Sequence, residues 1–347
     1  MSDLAGAREA LVIKPSSFGD VIHTLPAVAA LHRSFPELRL RWVVNTEWAP
    51  LLRGNPALVE TLECPRREWR GWRDWGKARR WARETLAPLA PDVAIDFQGL
   101  LRSALMARAS NARVRVGFAR AREGAPLFYH RRVVVPGWDR THAVDRYLAL
   151  AAAAGAAISG PAEFPLPEGD PVPGLPGPDD RPWILLHPTS RGAGKSLSWG
   201  EIRDFCEATD KVPVVIVGAA GDGSDSGQPP PGNVTDLRGR TSLLQLVWLM
   251  RRAGWIVSVD SGPMHLAAAL TDRLLSLHTW TDPLMVGPCR KSAWVWREGF
   301  LGRVGEIQPG QFPERRRDAR RRAGEQGILR PGDARRLAAF AVSRLSP

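Results

Sequence analysis

A chain of 347 residues, 44% hydrophobic and 24% charged, can bury a substantial core and is long enough for two domains, which excludes a disordered or fibrous polymer. Its net charge of +12 predicts attraction to an anionic partner: nucleic acid, an anionic lipid surface or a phosphorylated substrate. Three scattered cysteines, Cys64, Cys206 and Cys289, argue against a disulfide framework or zinc site and fit a reducing compartment. The first residues lack a basic stretch followed by an apolar one, and no apolar run nears the roughly 18 residues of a spanning helix. A cytoplasmic protein is expected.

In chain order, "LVIK" reads as a short buried strand, followed by helical spacing from Val21 to Ser34. "LRLRWVVN" and "DVAIDF" (Asp92 to Phe97) are further strands, and "LLRSALMARA" is a helix after Gly99. "RVRVGF" and "RRVVV" follow, then a helix from about Asp139 to Ala154. Short apolar runs interleaved with helices predict a parallel sheet covered on both faces. Between Ile158 and Pro182 the chain is dense in Pro and Gly and reads as a linker.

The alternation then restarts. "WILLHP", "PVVIVG", "WIVSVD" and "LLSLHT" are strands, with helices at Trp199 to Ala208, Leu243 to Arg252 and Met264 to Leu270. The basic stretch around residues 314–322 reads as a solvated loop, and "PGDARRLAAFAVSRL" as an amphipathic terminal helix. The expected organisation is an N-terminal domain over 1–158, a linker over 159–182, a C-terminal domain over 183–330 and a helix over 331–347. Two α/β halves on a Pro-rich hinge would bind ligands between them.

Three strand-to-helix turns carry chemistry. In "KPSSFGDVIHTLPA" neither a dinucleotide fingerprint nor a P-loop is present, and Asp20 would repel a diphosphate. Asp20 suits proton abstraction from a hydroxyl, or simply caps the helix; spacing does not separate the two. In "SVDSGPMHLAAAL", Asp260-Ser261-Gly262-Pro263 opens a helix whose N-terminus suits a phosphate, with His265 in the first turn as a second contact or a structural histidine. In "LLHPTSRGAGKSLSW", Thr189 and Ser190 offer hydroxyls and Lys195 a compact cation, unless that lysine is merely solvated.

The stretch from Arg66 to Arg83 holds eight basic residues against two acids, with Trp69, Trp72 and Trp75 at three-residue spacing and Trp81 beyond. It is either a helix burying a Trp stripe or a surface for a phosphorylated, lipid-linked ligand at a membrane.

"KPSSFGDVIHTLPA", "AIDFQGLLRSALMAR", "AREGAPLFYHRR", "HAVDRYL", "HPTSRGAGK" and "SVDSGPMHLAAAL" occur in the order found in the ADP-heptose:lipopolysaccharide heptosyltransferases, glycosyltransferase family 9. The chain resembles that family over roughly residues 11 to 300, and its N-terminal pieces are most similar to the heptosyltransferase I branch. The resemblance implies an α/β GT-B fold: two Rossmann-like domains facing across a cleft, with acceptor on the first and nucleotide sugar on the second. It implies inverting, metal-independent transfer of heptose from ADP-heptose to the Kdo-lipid A inner core, with no cofactor.

By the same resemblance Asp20 matches the general base, with Lys195 as its catalytic partner on the donor side. Thr189, Ser190, Lys195, Asp222, Asp260, Ser261, Gly262 and His265 match the donor site, Asp222 at the adenosine ribose. Ser16, Ser17, Gly19, Arg66, Arg67 and Arg122 match the acceptor side. The expected partners are a nucleotide sugar, a phosphorylated glycolipid and the inner face of the cytoplasmic membrane, engaged by a monomer.

Two departures stand out. Leu197-Ser198 replaces the family's usual Trp-Pro, and "HTWTDP" replaces its Gly-Pro-Thr-Asp-Pro. They leave open a related transferase with another donor or acceptor, or a nucleotide-sugar-binding protein with weakened turnover. Nucleic-acid binding rests on charge alone, with no recognition-helix, RNP or zinc-finger motif.

Overall fold

The computed structural model describes residues 4, 6–69, 74–175, 182–192, 194–220, 230–312 and 327–345. The chain divides into two compact units, Met1–Pro167 and Glu168–Pro347. The boundary falls inside the Pro/Gly-rich segment, so residues 159–167 belong to the first unit and 168–182 to the second.

In the first unit, β1 (Glu9–Ile13), β2 (Arg39–Asn45), β3 (Glu60–Cys64), β4 (Val93–Asp96), β5 (Val114–Phe118) and β6 (Arg131–Val133) form a sheet ordered β3-β2-β1-β4-β5-β6. Every pairing is parallel. The helices are α1 (Phe18–Ser34), α2 (Trp75–Trp81), α3 (Leu101–Ala109) and α4 (Ala143–Ala154). Because helices cover both faces, β1 and β4 are buried along nearly their whole length, which is why they read as unbroken apolar runs. Leu11 and Ile13 pack on one face with Trp69, Leu86 and Ala107. β3, "ETLEC", is an edge strand with alternating exposure, so it lacks the apolar run that marks the others.

In the second unit, β7 (Ile184–His187), β8 (Val214–Ile216), β9 (Val234–Asp236), β10 (Trp255–Val259), β11 (Leu274–His278), β12 (Trp294–Arg297) and β13 (Phe300–Arg303) are ordered β13-β12-β11-β10-β7-β8-β9. Among the described residues of this unit only β12 and β13 pair antiparallel, through a tight turn at Glu298-Gly299. Both turn residues have positive φ, 54° and 90°, as a two-residue hairpin of this twist requires. The helices are α5 (Trp199–Ala208), α6 (Leu243–Arg252), α7 (Gly262–Leu270), a short α8 (Pro283–Val286) and α9 (Asp333–Ser343). The terminal helix α9 is part of this unit: Leu337, Ala338 and Ala341 are buried in one cluster with Ile202 and Phe205 of α5. Truncating Leu337 to Ala should cost about 2–5 kcal/mol.

The Trp stripe splits. Trp69 is buried and meets Trp81 edge to face at 5.7 Å, whereas Trp75 is 67% exposed. Trp72, Arg70 and Arg73 lie outside the described residues, as does the basic stretch 314–322. Among the described residues, no helix is long and apolar enough to cross a membrane. Cys64 and Cys206 are buried, with thiols pushed up to about 12 chiefly by burial.

Candidate active site

In an open parallel sheet, ligands bind outside the carboxyl ends of the strands where the strand order reverses. In the first unit that point lies between β1 and β4. The turn leaving β1 carries Lys14, Ser16, Ser17 and Asp20; the turn leaving β4 carries Phe97, Gln98 and Gly99. The two turns are tied together. Lys14 Nζ donates to Phe97 O at 3.2 Å, and Ser16 N donates to Gln98 Oε1 at 3.1 Å. Asp96 anchors the second turn, accepting from Gln98 N, Gly99 N, Ser103 Oγ and Tyr129 Oη at 2.6–3.0 Å. Burial pushes its carboxyl up although these bonds oppose the shift. Gly99 has φ +68°, and a Cβ there would sit 3.3 Å from Ala121 Cβ, so glycine suits both the backbone and the space.

Asp20 stands in the first turn of α1. Its Oδ2 accepts from Ser17 N at 3.1 Å and Ser17 Oγ at 2.7 Å, which is the capping role. Its Oδ1 accepts from Tyr147 Oη at 3.1 Å and lies 3.9 Å from Lys14 Nζ. The two candidate roles of Asp20 therefore fall on different oxygens. Burial alone would raise this carboxyl; the Lys14 charge and the bonds from Ser17 and Tyr147 outweigh it and hold it below the ordinary range. With 36% of its side chain exposed, Asp20 is an ionised carboxylate in contact with solvent.

Lys14 and Tyr147 belong to this site although their motifs singled out neither for a role. Lys14 is buried, and its ammonium lies 4.8 Å from the Tyr147 ring centre. A lysine at the carboxyl end of a buried strand, paired with an acid one turn away, was the available signal. Tyr147 comes from α4, 127 residues beyond Asp20, so local pattern could not reach it.

The other expected acceptor-side residues also sit at the carboxyl edge of this sheet. Gly19 is buried in the first turn of α1, and Ser17 is its N-cap. Arg122 donates its backbone N–H to Gly99 O at 2.9 Å and exposes its side chain. Arg66 and Arg67 follow β3: Arg66 donates to Trp69 O, and Arg67, 70% exposed, lies 3.5 Å from Glu47.

In the second unit the order reverses between β7 and β10. The loop after β7 carries Thr189, Ser190 and Lys195, and the turn after β10 carries Asp260 and Ser261, the N-cap of α7. Ser190 Oγ donates to Asp260 O at 3.1 Å, and Lys195 Nζ donates to Asp260 Oδ2 at 2.6 Å. The side chains of that ion pair are 15% and 6% exposed. The lysine is thus not the solvated loop cation that sequence also allowed. Thr189 is buried, Gly262 opens α7, and His265 is half-buried in its first turn. His187, the last residue of β7, faces Ser261 Oγ at 3.3 Å through Nδ1. Asp222 lies outside the described residues.

The two departures have physical accounts. Leu197 is buried in the core, and Ser198 starts α5 with a reciprocal cap: Glu201 N donates to Ser198 Oγ at 3.3 Å and Ser198 N to Glu201 Oε2 at 2.6 Å. In "HTWTDP", Thr281 Oγ1 donates to Asp260 Oδ2 at 2.6 Å, and the Trp280 ring centre lies 4.4 Å from Lys195 Nζ. His278 is fully buried between Ser276 and Thr281. Burial, opposed by Asp260 and helped by Lys195 and Arg297, pushes its ring down to about 4, so it is neutral at pH 7. Burial would raise Asp260, but neighbouring positive charge and the Lys195 and Thr281 bonds hold it below the ordinary range. With His278 neutral, the charge acting at neutral pH is that of Lys195. Among the described residues, no group of three or more His, Cys, Asp or Glu could hold a metal ion.

Two Rossmann-like units, each with polar side chains at its switch point, make up the GT-B fold, which solved structures share. Escherichia coli heptosyltransferase WaaC with ADP superposes with a TM-score of 0.71 at 26% identity, covering 84% of this chain and 94% of that one. E. coli ADP-heptose lps heptosyltransferase II superposes with a TM-score of 0.72 at 22% identity, covering 97% and 98%. Residues 80–300 match the model of glycosyltransferase family 9 (heptosyltransferase). Lipopolysaccharide heptosyltransferase 1 of Pseudomonas aeruginosa is 32% identical over 305 residues, 81% of each chain. The chain belongs to glycosyltransferase family 9.

Proposed function

We propose that the chain transfers heptose from ADP-heptose to the Kdo-lipid A inner core of lipopolysaccharide, with inversion and without a metal ion. The observation that carries the reading is the Lys195–Asp260 pair at the second unit's switch point, in a chain 32% identical to a lipopolysaccharide heptosyltransferase 1. The acceptor hydroxyl oxygen attacks the anomeric carbon, its proton passes to Asp20, and the bond to the diphosphate breaks, releasing ADP. Charge developing on the leaving diphosphate is met by Lys195 and the amides opening α7, with Thr189, Ser190, Ser261, Gly262 and His265 lining the donor side. Preorganised charge of this kind is often the largest catalytic contribution. Asp222 serves the ribose, and Arg66, Arg67 and Arg122 attract the acceptor's anionic groups. The exposed Trp75 on a basic helix supports a peripheral position at the cytoplasmic face of the inner membrane.

The test is a transfer assay with ADP-heptose and Kdo-lipid A, beside a thermal-shift panel of nucleotide sugars. Stabilisation by ADP-heptose and ADP, with product formed, is the expected result. Stabilisation by uridine or guanosine sugars alone would overturn the donor assignment.

A further inference from the structure

Three consecutive side chains of the "HTWTDP" segment meet Lys195, the residue before it and its carboxylate partner. Thr279 Oγ1 donates to Gly194 O at 2.8 Å, tethering the residue just before the lysine. Trp280 places its ring centre 4.4 Å from the Lys195 ammonium. Thr281 Oγ1 donates at 2.6 Å to Asp260 Oδ2, the same oxygen that accepts from Lys195. Gly194 itself has φ +68°, a conformation that glycine adopts without strain.

We infer that Thr279 and Trp280 are positioning residues that hold Lys195 and its loop against Asp260, so that the ammonium is preorganised for an anionic diphosphate. The inference rests on reading Lys195 as the donor-diphosphate contact. An ammonium has three donors, and one is engaged by Asp260, which leaves others for a ligand. A cation over an indole face is attracted by the ring quadrupole without surrendering a donor. Trp280 can therefore hold the charge in place while leaving its hydrogen-bonding capacity to the substrate.

The test is ADP affinity by titration calorimetry for the parent, Trp280→Leu, Trp280→Phe, Thr279→Val, Lys195→Ala and the double variant Trp280→Leu/Lys195→Ala. Trp280→Leu should weaken ADP roughly three- to fivefold, the size of a partly exposed cation–ring contact, and Trp280→Phe should weaken it less. Thr279→Val keeps shape, removes only the tether, and should also weaken ADP. In the Lys195→Ala background Trp280→Leu should have no further effect, because a residue acting through the lysine has nothing left to position. An equal loss in both backgrounds would overturn the inference, since Trp280 would then act on the nucleotide or the fold directly. Unchanged affinity in both Trp280→Leu and Thr279→Val would also overturn it. If Lys195→Ala itself leaves ADP affinity unchanged, the donor reading falls, and the inference with it.

Discussion

The Tyr147 hydroxyl donates to Asp20 Oδ1 at 3.1 Å, joining residues 127 positions apart at the mouth of the first sheet. Tyr147 is buried, and its own proton is held far more tightly than usual, by burial first and then by the Asp20 charge and bond. It acts as a fixed donor. One carboxylate oxygen thereby stays aligned while the other caps α1 through Ser17. Each carboxylate oxygen can accept more than one bond, so Oδ1 keeps capacity for a second donor, as the proposed base role requires.

Asp20→Asn should keep the fold, because the amide oxygen of Asn can still accept the Ser17 N–H that the carboxylate holds. It should bind ADP normally and transfer sugar about 10²–10⁴-fold more slowly, the usual contribution of a positioned general base. Steady-state turnover beside ADP titration checks this; near-parental turnover would leave Asp20 as a cap only.

Tyr147→Phe removes the donor without changing the ring that lies over Lys14. We expect turnover to fall several-fold while ADP affinity stays at the parental value, since a bond to a charged group is worth about 1.5–3 kcal/mol and Asp20 is partly screened by solvent. In an Asp20→Asn background the same change should do nothing to turnover. A loss of ADP affinity instead would assign Tyr147 a purely structural role.

Lys195→Ala deletes a charge-assisted contact and leaves the Asp260 carboxylate with Thr281 as a remaining donor. ADP binding should weaken by roughly 2–3 kcal/mol, about 30- to 150-fold. Calorimetry at constant salt measures it, and parental affinity would contradict the donor assignment.

His278 makes the second unit sensitive to acid. Its folded value of about 4 lies below the ordinary histidine range near 6.5, so between those values the unfolded chain binds the extra proton. Stability from this group is complete above about pH 6.5 and is lost as pH falls toward 4, by at most about 3 kcal/mol. Urea denaturation from pH 7.5 to 4.5 should show the fall, and His278→Gln should flatten it. An equal slope in the variant would place the acid sensitivity elsewhere.

Trp75→Ala should weaken association with anionic phospholipid vesicles, since this exposed indole sits on a helix carrying Lys77, Arg79 and Arg80. Lys77→Gln should weaken it too, by an amount that shrinks in high salt, whereas the Trp75 effect should persist. Co-sedimentation with vesicles separates the two; unchanged binding by Trp75→Ala would remove this helix from the membrane surface.

The parallel-sheet plan and the turns at Asp20, Lys195 and Asp260 were legible because each is a local pattern. A buried strand is an unbroken apolar run, and a strand-to-helix turn announces itself in a few neighbouring residues. Edge strands β3 and β9 were not legible, since one side of an edge is wet and its residues alternate. The Trp stripe was ambiguous for the same reason: spacing makes Trp69 and Trp75 equivalent, and only packing against Trp81 and Leu11 buries one while leaving the other in water. Sequence by itself thus determined the strand order's raw material and the chemical groups at each mouth. Tertiary structure alone decided that Tyr147 meets Asp20 and that Thr279, Trp280 and Thr281 meet the surroundings of Lys195. Those partners lie 85 to 127 residues apart, apart from Thr281 and Asp260 at 21, and only the packed sheet brings such distant turns to one edge.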